Sequence, residues 1–332
     1  MNAEDPQHIT PQVTVILTAY NVRPFIAQAI DSVLQQTHLD YELIVVDDGS
    51  IDGSAEEIAS FRVPRLRAVR QTHAGSSEAK NAGIALARGK YLAFLDGDDY
   101  WNPAKLARHV AFHNSHSAVD LTFSLSLSVD SSGTVLGLMN ARPSGYVSFT
   151  ELLIDNHIRC GSSVVVRADA LRKAGCFDTS LQACIDYDAW LRVAQLRPAN
   201  TYCIAEPFTF YRRRAGQISS DWKRMQEAHS QVMQKLQGLS SNWQSSHTRI
   251  AKSNMHRYYA YLEYERGSLG MAARLLLTSF RLAPVHCLVE PRSWMMLGAI
   301  ASRWVLSERA HARVERWAFA LRSRYLMSFG RN

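Results

Sequence analysis

No stretch of this chain approaches a membrane span. Crossing a bilayer takes roughly 18 to 20 unbroken apolar residues, whereas the best stretch, residues 293–306, is shorter and is interrupted by Arg303. Cysteine is sparse as well: five residues, at 160, 176, 184, 203 and 287, odd in number and without metal-ligand or redox spacing. They read as free thiols in a reducing compartment, which predicts a cytoplasmic protein. The opening residues MNAEDPQHITPQ carry acidic side chains and no apolar core, so they fit neither a signal peptide nor a transit peptide. Also missing are GxxxxGKS/T and GxGxxG, which excludes the phosphate loops of nucleoside triphosphatases and Rossmann dehydrogenases.

What is present is the composition of a globular chain: 332 residues, 47% hydrophobic and 20% charged. That length suits a large α/β unit plus an appended region. The net charge of +7 points to an anionic partner, a demand that nucleic acid, anionic lipid or a phosphorylated substrate would each meet. No nucleic-acid recognition motif accompanies the charge, so nucleic acid is not expected as a partner.

Residues 13–19 (VTVILTA) and 43–46 (LIVV) are β-branched apolar runs of the kind buried on both faces of a parallel sheet. Between them Phe25, Ile26, Ala29, Ile30, Val33 and Leu34 recur at helical spacing and supply the crossover that a parallel pair requires. The pattern repeats with a helix from Gly53, a strand at 66–69, a helix at 76–87 and a strand at 91–95. The first hundred residues thus predict an α/β, doubly wound, mostly parallel sheet. Asn102 and Pro103 are expected to open a further helix, and 121–129 to form a half-exposed strand with serines alternating outward. Strand 163–166 and helices 168–174 and 186–196 follow. The expected organisation is a catalytic domain over 1–220 and a helical region over 221–332. Within the latter, helices 250–266 and 269–282 are spaced like one tetratricopeptide unit.

In an open parallel sheet, ligands bind outside the carboxyl ends of the strands. The residues there are Tyr20 and Asn21 after the first strand, Asp47, Asp48, Gly49 and Ser50 after the second, and Asp96, Gly97, Asp98 and Asp99 after the last. Singly, each Asp-Gly cluster is an ordinary turn or cap. Five carboxylates gathered at one crevice repel one another unless a cation or donors compensate. Hard oxygen ligands of this kind select Mg2+ or Mn2+, which bridge carboxylate to substrate phosphate.

Several ordered segments carry a resemblance: VTVILTAYN at 13–21, LIVVDDGSIDGS at 43–54, AKNAGIALARGKYLAFLDGDDYW at 79–101, CGSSVVVRADALRKAGCFD at 160–178 and DYDAWLRVA at 186–194. Together residues 13–219 resemble the inverting glycosyltransferase family 2, of the GT-A fold. The resemblance implies a metal-dependent hexosyltransferase that uses a nucleotide-sugar donor. The donor expected is a UDP-sugar, and the acceptor a lipid-linked or surface-polysaccharide glycan. It places Thr18 and Tyr20 beside the nucleobase and lets Asp48 accept the imide hydrogen. Asp96 and Asp98 form the DxD motif, with Asp98 the direct ligand to Mn2+ or Mg2+ and Asp96 nearer the ribose. Lys80 stands where the family usually has arginine, within reach of the diphosphate. Asp186 falls at the catalytic base, which must take the acceptor's proton. By itself an aspartate opening a helix is more often a cap, with its pKa lowered by the helix dipole.

Two departures qualify the match. Ile185 replaces a glutamate beside the base, and Arg214 replaces a histidine before Gly216-Gln217, offering diphosphate a planar fork instead of a metal ligand. A nucleotidyltransferase would want a glycine-rich loop near its start, and none is present. The remaining alternative is a non-catalytic nucleotide or glycan binder of the same fold. From Pro284 onward arginines 292, 303, 309, 313, 316, 322, 324 and 331 interleave with Trp294, Met295, Leu297, Ile300, Trp304 and Val305. That mixture suits helices lying on an anionic membrane surface, on the inner face, as well as helices packed on a core with a solvated basic side.

Overall fold

The structure is a computed structural model and describes residues 10–140, 144–214, 216–237 and 245–306. Ten strands form one sheet: β1 Val13–Ala19, β2 Tyr41–Asp47, β3 Leu66–Arg70, β4 Tyr91–Asp96, β5 Tyr100–Trp101, β6 Leu121–Val129, β7 Val135–Leu138, β8 Gly145–Tyr146, β9 Val164–Arg167 and β10 Thr201–Arg212. The helices that alternate with them along the chain are α1 Arg23–Leu34, α2 Ser54–Ser60, α3 Ser76–Leu86, α4 Lys105–Ser115, α5 Phe149–Ile154, α6 Ala168–Lys173 and α7 Ile185–Gln195. A helical run follows: α8 Trp222–Gln237, α9 Ser245–Glu265, α10 Leu269–Leu282, α11 Pro284–Val289 and α12 Pro291–Val305. The chain divides into two compact units, one of residues 1–149 and 157–215, the other of 150–156 and 216–332.

The sheet order is β3-β2-β1-β4-β9-β6-β10-β5, with β7 on β6 and β8 on β10. β1 is parallel to both β2 and β4, while β9 runs antiparallel between β4 and β6. Because the chain moves outward through β2 and β3 and then returns to the other side of β1, the crossovers diverge at the β1/β4 boundary. The ends of those two strands therefore open the crevice in which such sheets bind ligands. Register decides what faces it: Thr18 pairs with Val46 on one side and Asp96 on the other, and Ala19 pairs with Asp47.

β1, β2 and β4 are buried along almost their whole length, as their unbroken apolar runs require. α1 covers one face through Ile26, Ala29, Ile30 and Val33. α3 approaches the sheet through Gly83, where a Cβ would lie 2.4 Å from Ile16 Cγ2, so only glycine lets the helix come this near. α6 ends at Gly175 (φ +89°), whose N–H donates to Arg172 O (3.0 Å), while Cys176 N–H donates to Leu171 O (3.0 Å). This pairing satisfies the last carbonyls of the helix.

Three expectations need correction. The serine-rich strand β6 is buried rather than half exposed: Ser124, Ser126 and Ser128 lie in the interior, since β6 is flanked by β9 and β10 within the sheet and α4 and α7 pack against it. α4 begins at Lys105, since Asn102 Oδ1 caps the preceding turn by accepting Ala104 N–H (2.9 Å). α7 begins at Ile185, after Cys184 in a left-handed conformation (φ 55°).

In the second unit, Tyr259, Ala260, Tyr264, Ala272, Leu275, Leu276, Met296 and Ile300 form a core shared by α9, α10 and α12. Val285, Leu288, Val289, Trp294, Met295, Leu297, Trp304 and Val305 are exposed on α11 and α12. No helix among the described residues is long and apolar enough to cross a membrane. The basic tail positions Arg309, Arg313, Arg316, Arg322, Arg324 and Arg331 lie outside the described residues.

Candidate active site

The loop after β2 turns sharply at Gly49 (φ +75°), where a Cβ would meet His73 N at 2.8 Å. That close approach brings residues 71–75 over Asp48. The buried Asp48 carboxylate is ringed by donors: Oδ1 accepts Gln71 Nε2 (2.7 Å) and Ala74 N (2.9 Å), and Oδ2 accepts Gly75 N (2.9 Å) and faces His73 Nδ1 (2.8 Å). The imidazole of His73 lies flat against Tyr20, with ring centroids 3.9 Å apart and planes 14° from parallel. Asp47 belongs to the turn, accepting Ser50 N–H (3.1 Å) and pairing with Arg70 (3.2 Å).

At the end of β4 the Asp96 carboxylate accepts from Lys80 Nζ (2.9 Å) and, at long range, from Thr18 Oγ1 (3.4 Å). Lys80 comes from α3, with its side chain 3% exposed, and also donates to Ser76 Oγ (3.1 Å). Its ammonium lies 3.7 Å from Asp186 Oδ1 in α7, an ion pair too long for a hydrogen bond. That oxygen is buried and has no hydrogen-bond partner. Asp186 Oδ2 is hemmed in by Gly161, where a Cβ would sit 2.5 Å away. The structure thus brings Thr18, Lys80, Asp96 and Asp186 together.

The remaining acidic residues of the β4 turn have different partners. Asp98 Oδ2 pairs with Arg214 Nε at 2.6 Å. Asp99 lies beneath, accepting Ser162 Oγ (2.6 Å) and Arg212 N (2.9 Å). Ser162 Oγ in turn accepts Asp96 N–H (3.1 Å), so the 161–163 turn fixes the DxD segment from below. Arg212 is buried among Asp98 O, Asp130 O, Ser131 O and Gln28 Oε1.

Electrostatics follow from this packing. Burial pushes the Asp186 carboxyl above its ordinary pKa and Asp96 adds to the rise, while Lys80 opposes it. The sequence expectation was a lowered value; a helix dipole acting on a partly exposed cap is outweighed here by desolvation beside another carboxylate. Burial would lower the pKa of Lys80, but Asp186 and Asp96 together raise it, so it stays protonated. Asp99 is raised well above the usual carboxylate range by burial and by Asp98 and Asp96.

No group of three or more acidic, histidine or cysteine side chains among the described residues is arranged to enclose a metal. A divalent cation still fits the donor set, because Mg2+ and Mn2+ commonly take one or two carboxylates and draw their other ligands from substrate phosphates and water. Asp98, paired with the partly exposed Arg214, is the carboxylate suited to hold it.

Residues 14–175 match the model of glycosyl transferase family 2. That segment belongs to the family. The family 2 domain is 46% identical over 100 residues to the uncharacterized glycosyltransferase EpsJ of Bacillus subtilis, covering 30% of this chain and 29% of EpsJ. The chain thus spans less than a third of that relative's length. It is 26% identical over 213 residues to WfaP of Escherichia coli, a UDP-Glc:alpha-D-GlcNAc-diphosphoundecaprenol beta-1,3-glucosyltransferase, covering 63% of this chain and 80% of WfaP. Among solved structures, the mannosyltransferase PcManGT of Pyrobaculum calidifontis in complex with GDP-Man and Mn2+ superposes with a TM-score of 0.57. The match is 18% identical and covers 99% of this chain and 88% of that one. The fold is GT-A.

Sequence reasoning missed Gln71, His73, Gly161 and Ser162 as parts of the site. Gly161 and Ser162 stood in a matching segment, but only the tertiary contact with Asp186 and Asp96 gives them a task. Lys80→Met removes the charge that opposes the rise at Asp186 and should move that carboxyl's titration to still higher pH. A 13C carboxyl NMR titration measures the shift; an unchanged or lower Asp186 pKa would show that Lys80 does not govern it.

Proposed function

We propose that the chain transfers a sugar from a UDP-sugar, with inversion at the anomeric carbon, to a lipid-linked or surface-polysaccharide acceptor. The observation that carries this reading is the buried Asp186 Oδ1, which accepts no hydrogen bond and lies 3.7 Å from the Lys80 ammonium at the β1/β4 crevice. A carboxylate oxygen without a hydrogen bond and with a raised pKa is costly for folding and useful for accepting a proton. The acceptor oxygen attacks the anomeric carbon from the face opposite the diphosphate and the sugar–phosphate C–O bond breaks. The bonding pair leaves with the diphosphate, and the acceptor's proton passes to Asp186. Thr18 and Tyr20 border the nucleobase, Asp48 accepts its imide hydrogen, Asp96 lies toward the ribose, and Lys80 keeps Asp96 and Asp186 oriented. Asp98 would hold Mn2+ or Mg2+, which would supply positive charge to the departing diphosphate. Arg214 offers its planar fork to the same diphosphate. The UDP-Glc named for WfaP and the Mn2+ of the PcManGT complex support the donor class and the ion.

The catalytic domain extends over 1–220, and the helical region over 221–332 associates peripherally with the inner face of an anionic membrane. Exposed Trp294, Met295, Leu297, Trp304 and Val305, together with the arginine-rich tail, support this docking.

Turnover measured across a panel of nucleotide sugars with Mn2+ tests the activity directly, and no transfer with any UDP-sugar would refute the donor assignment. Asp186→Asn should leave UDP affinity nearly unchanged and cut kcat by about a hundredfold or more. Wild-type turnover in that variant would remove Asp186 from the mechanism. In the wild type the acidic limb of kcat should lie above the ordinary carboxylate range. The base works only when ionised, so activity disappears as pH falls through its raised pKa. Asp98→Ala should abolish the Mn2+-dependent gain in UDP affinity seen by calorimetry; tight binding of UDP with Mn2+ by the variant would place the ion elsewhere. Full-length protein should co-sediment with anionic vesicles at low salt and dissociate at high salt, and indifference to such vesicles at low salt would assign the exposed helices another role.

A further inference from the structure

Two of the groups assigned to the nucleobase, Tyr20 and Asp48, are already engaged, and by the same side chain. His73 presents a flat aromatic face to Tyr20 at 3.9 Å and an Nδ1 to Asp48 Oδ2 at 2.8 Å. A pyrimidine with an imide makes the same two demands: a ring to stack and an N–H to donate. Each carboxylate oxygen offers two lone pairs. With Gln71 and Ala74 on Oδ1 and Gly75 and His73 on Oδ2, Asp48 has no place left for a further donor. Facing a carboxylate, Nδ1 is the donor in either the neutral or the charged ring.

We propose that His73 is an internal surrogate for the donor's base: its imidazole fills the nucleobase subsite and leaves when the nucleotide enters. This rests on the reading of Tyr20 and Asp48 as nucleobase contacts. The geometry permits the exchange at small structural cost. The His73 side chain is half exposed and can rotate into solvent, while the backbone N–H groups of Ala74 and Gly75 stay on Asp48 and keep the loop in place. Until then the imidazole fills the one acceptor place on the buried carboxylate that Gln71, Ala74 and Gly75 leave open. It also sets the affinity, because a ligand that must displace an internal competitor binds more weakly by the fraction of time the subsite is open. As the product nucleoside diphosphate departs, the ring returns and assists its release.

Calorimetry on the full chain with Mn2+ tests this, using UDP, uridine and inorganic pyrophosphate as probes. His73→Ala should bind UDP and uridine about tenfold more tightly than wild type and leave pyrophosphate, which has no base, unchanged. Unchanged or weaker uridine binding in His73→Ala would overturn the proposal. Adding Tyr20→Ala to His73→Ala separates the two readings. Loss of uridine affinity on that step keeps the base at Tyr20, so a failure of the single variant then falls on the surrogate role alone; no loss means the base lies elsewhere and both readings fall. In the wild-type protein, the NMR signals of the His73 ring should move to those of a solvated histidine at saturating UDP, and a ring unmoved by UDP would also refute the exchange.

Discussion

Lys80 is almost sealed from water, and its ammonium lies between two carboxylates brought from different parts of the chain, Asp96 at the end of β4 and Asp186 in α7. Putting a charge in such a place is tolerable only when partners compensate, and removing one partner of a buried pair typically costs about 3–5 kcal/mol. The lysine therefore ties α3, β4 and α7 into one rigid frame. The same charge limits how far desolvation can raise the pKa of Asp186. Burial and Lys80 thus act on this carboxyl in opposite directions, as the proposed role of proton acceptor requires.

Close backbone approach supports the frame. Gly161 lets its turn press against Asp186, Gly49 lets the 71–75 loop close over Asp48, and Gly83 seats α3 against Ile16 so that Lys80 reaches the crevice. Ser162 accepts the Asp96 N–H and donates to Asp99, so the turn that crowds Asp186 also fixes the 96–99 segment. Asp186 and that segment are thus positioned by common elements, which suits the proposed reaction, with attack and departure on opposite sides of one carbon.

Asp48 and Asp98 differ from this frame in that they meet the crevice with exchangeable partners. Asp48 is satisfied in part by a half-exposed histidine and Asp98 by a partly exposed arginine. Under the proposed function Asp48 faces a nucleobase and Asp98 a cation, and each is matched here in part by a side chain near solvent, whereas Asp96 and Asp186 are matched by the buried Lys80.

The apolar runs at 13–19, 43–46 and 91–95 carried the parallel core of the fold by themselves, because strands covered on both faces leave no room for polar alternation. From that, the position of the acidic residues at strand ends followed, and with it the crevice. Matching segments added Asp186, which no local pattern distinguishes from a helix cap. What the sequence could not express were contacts between residues far apart in the chain: Gly161 against Asp186, Lys80 between two carboxylates, His73 on Tyr20 and Asp48. The burial of β6 was hidden for the same reason, since alternating serines look solvent-facing until neighbours cover them. The direction of the Asp186 pKa shift also came only with the tertiary structure. Its helix position predicts a lowered value, but desolvation depends on what packs around a group, and packing is a property of the folded chain alone.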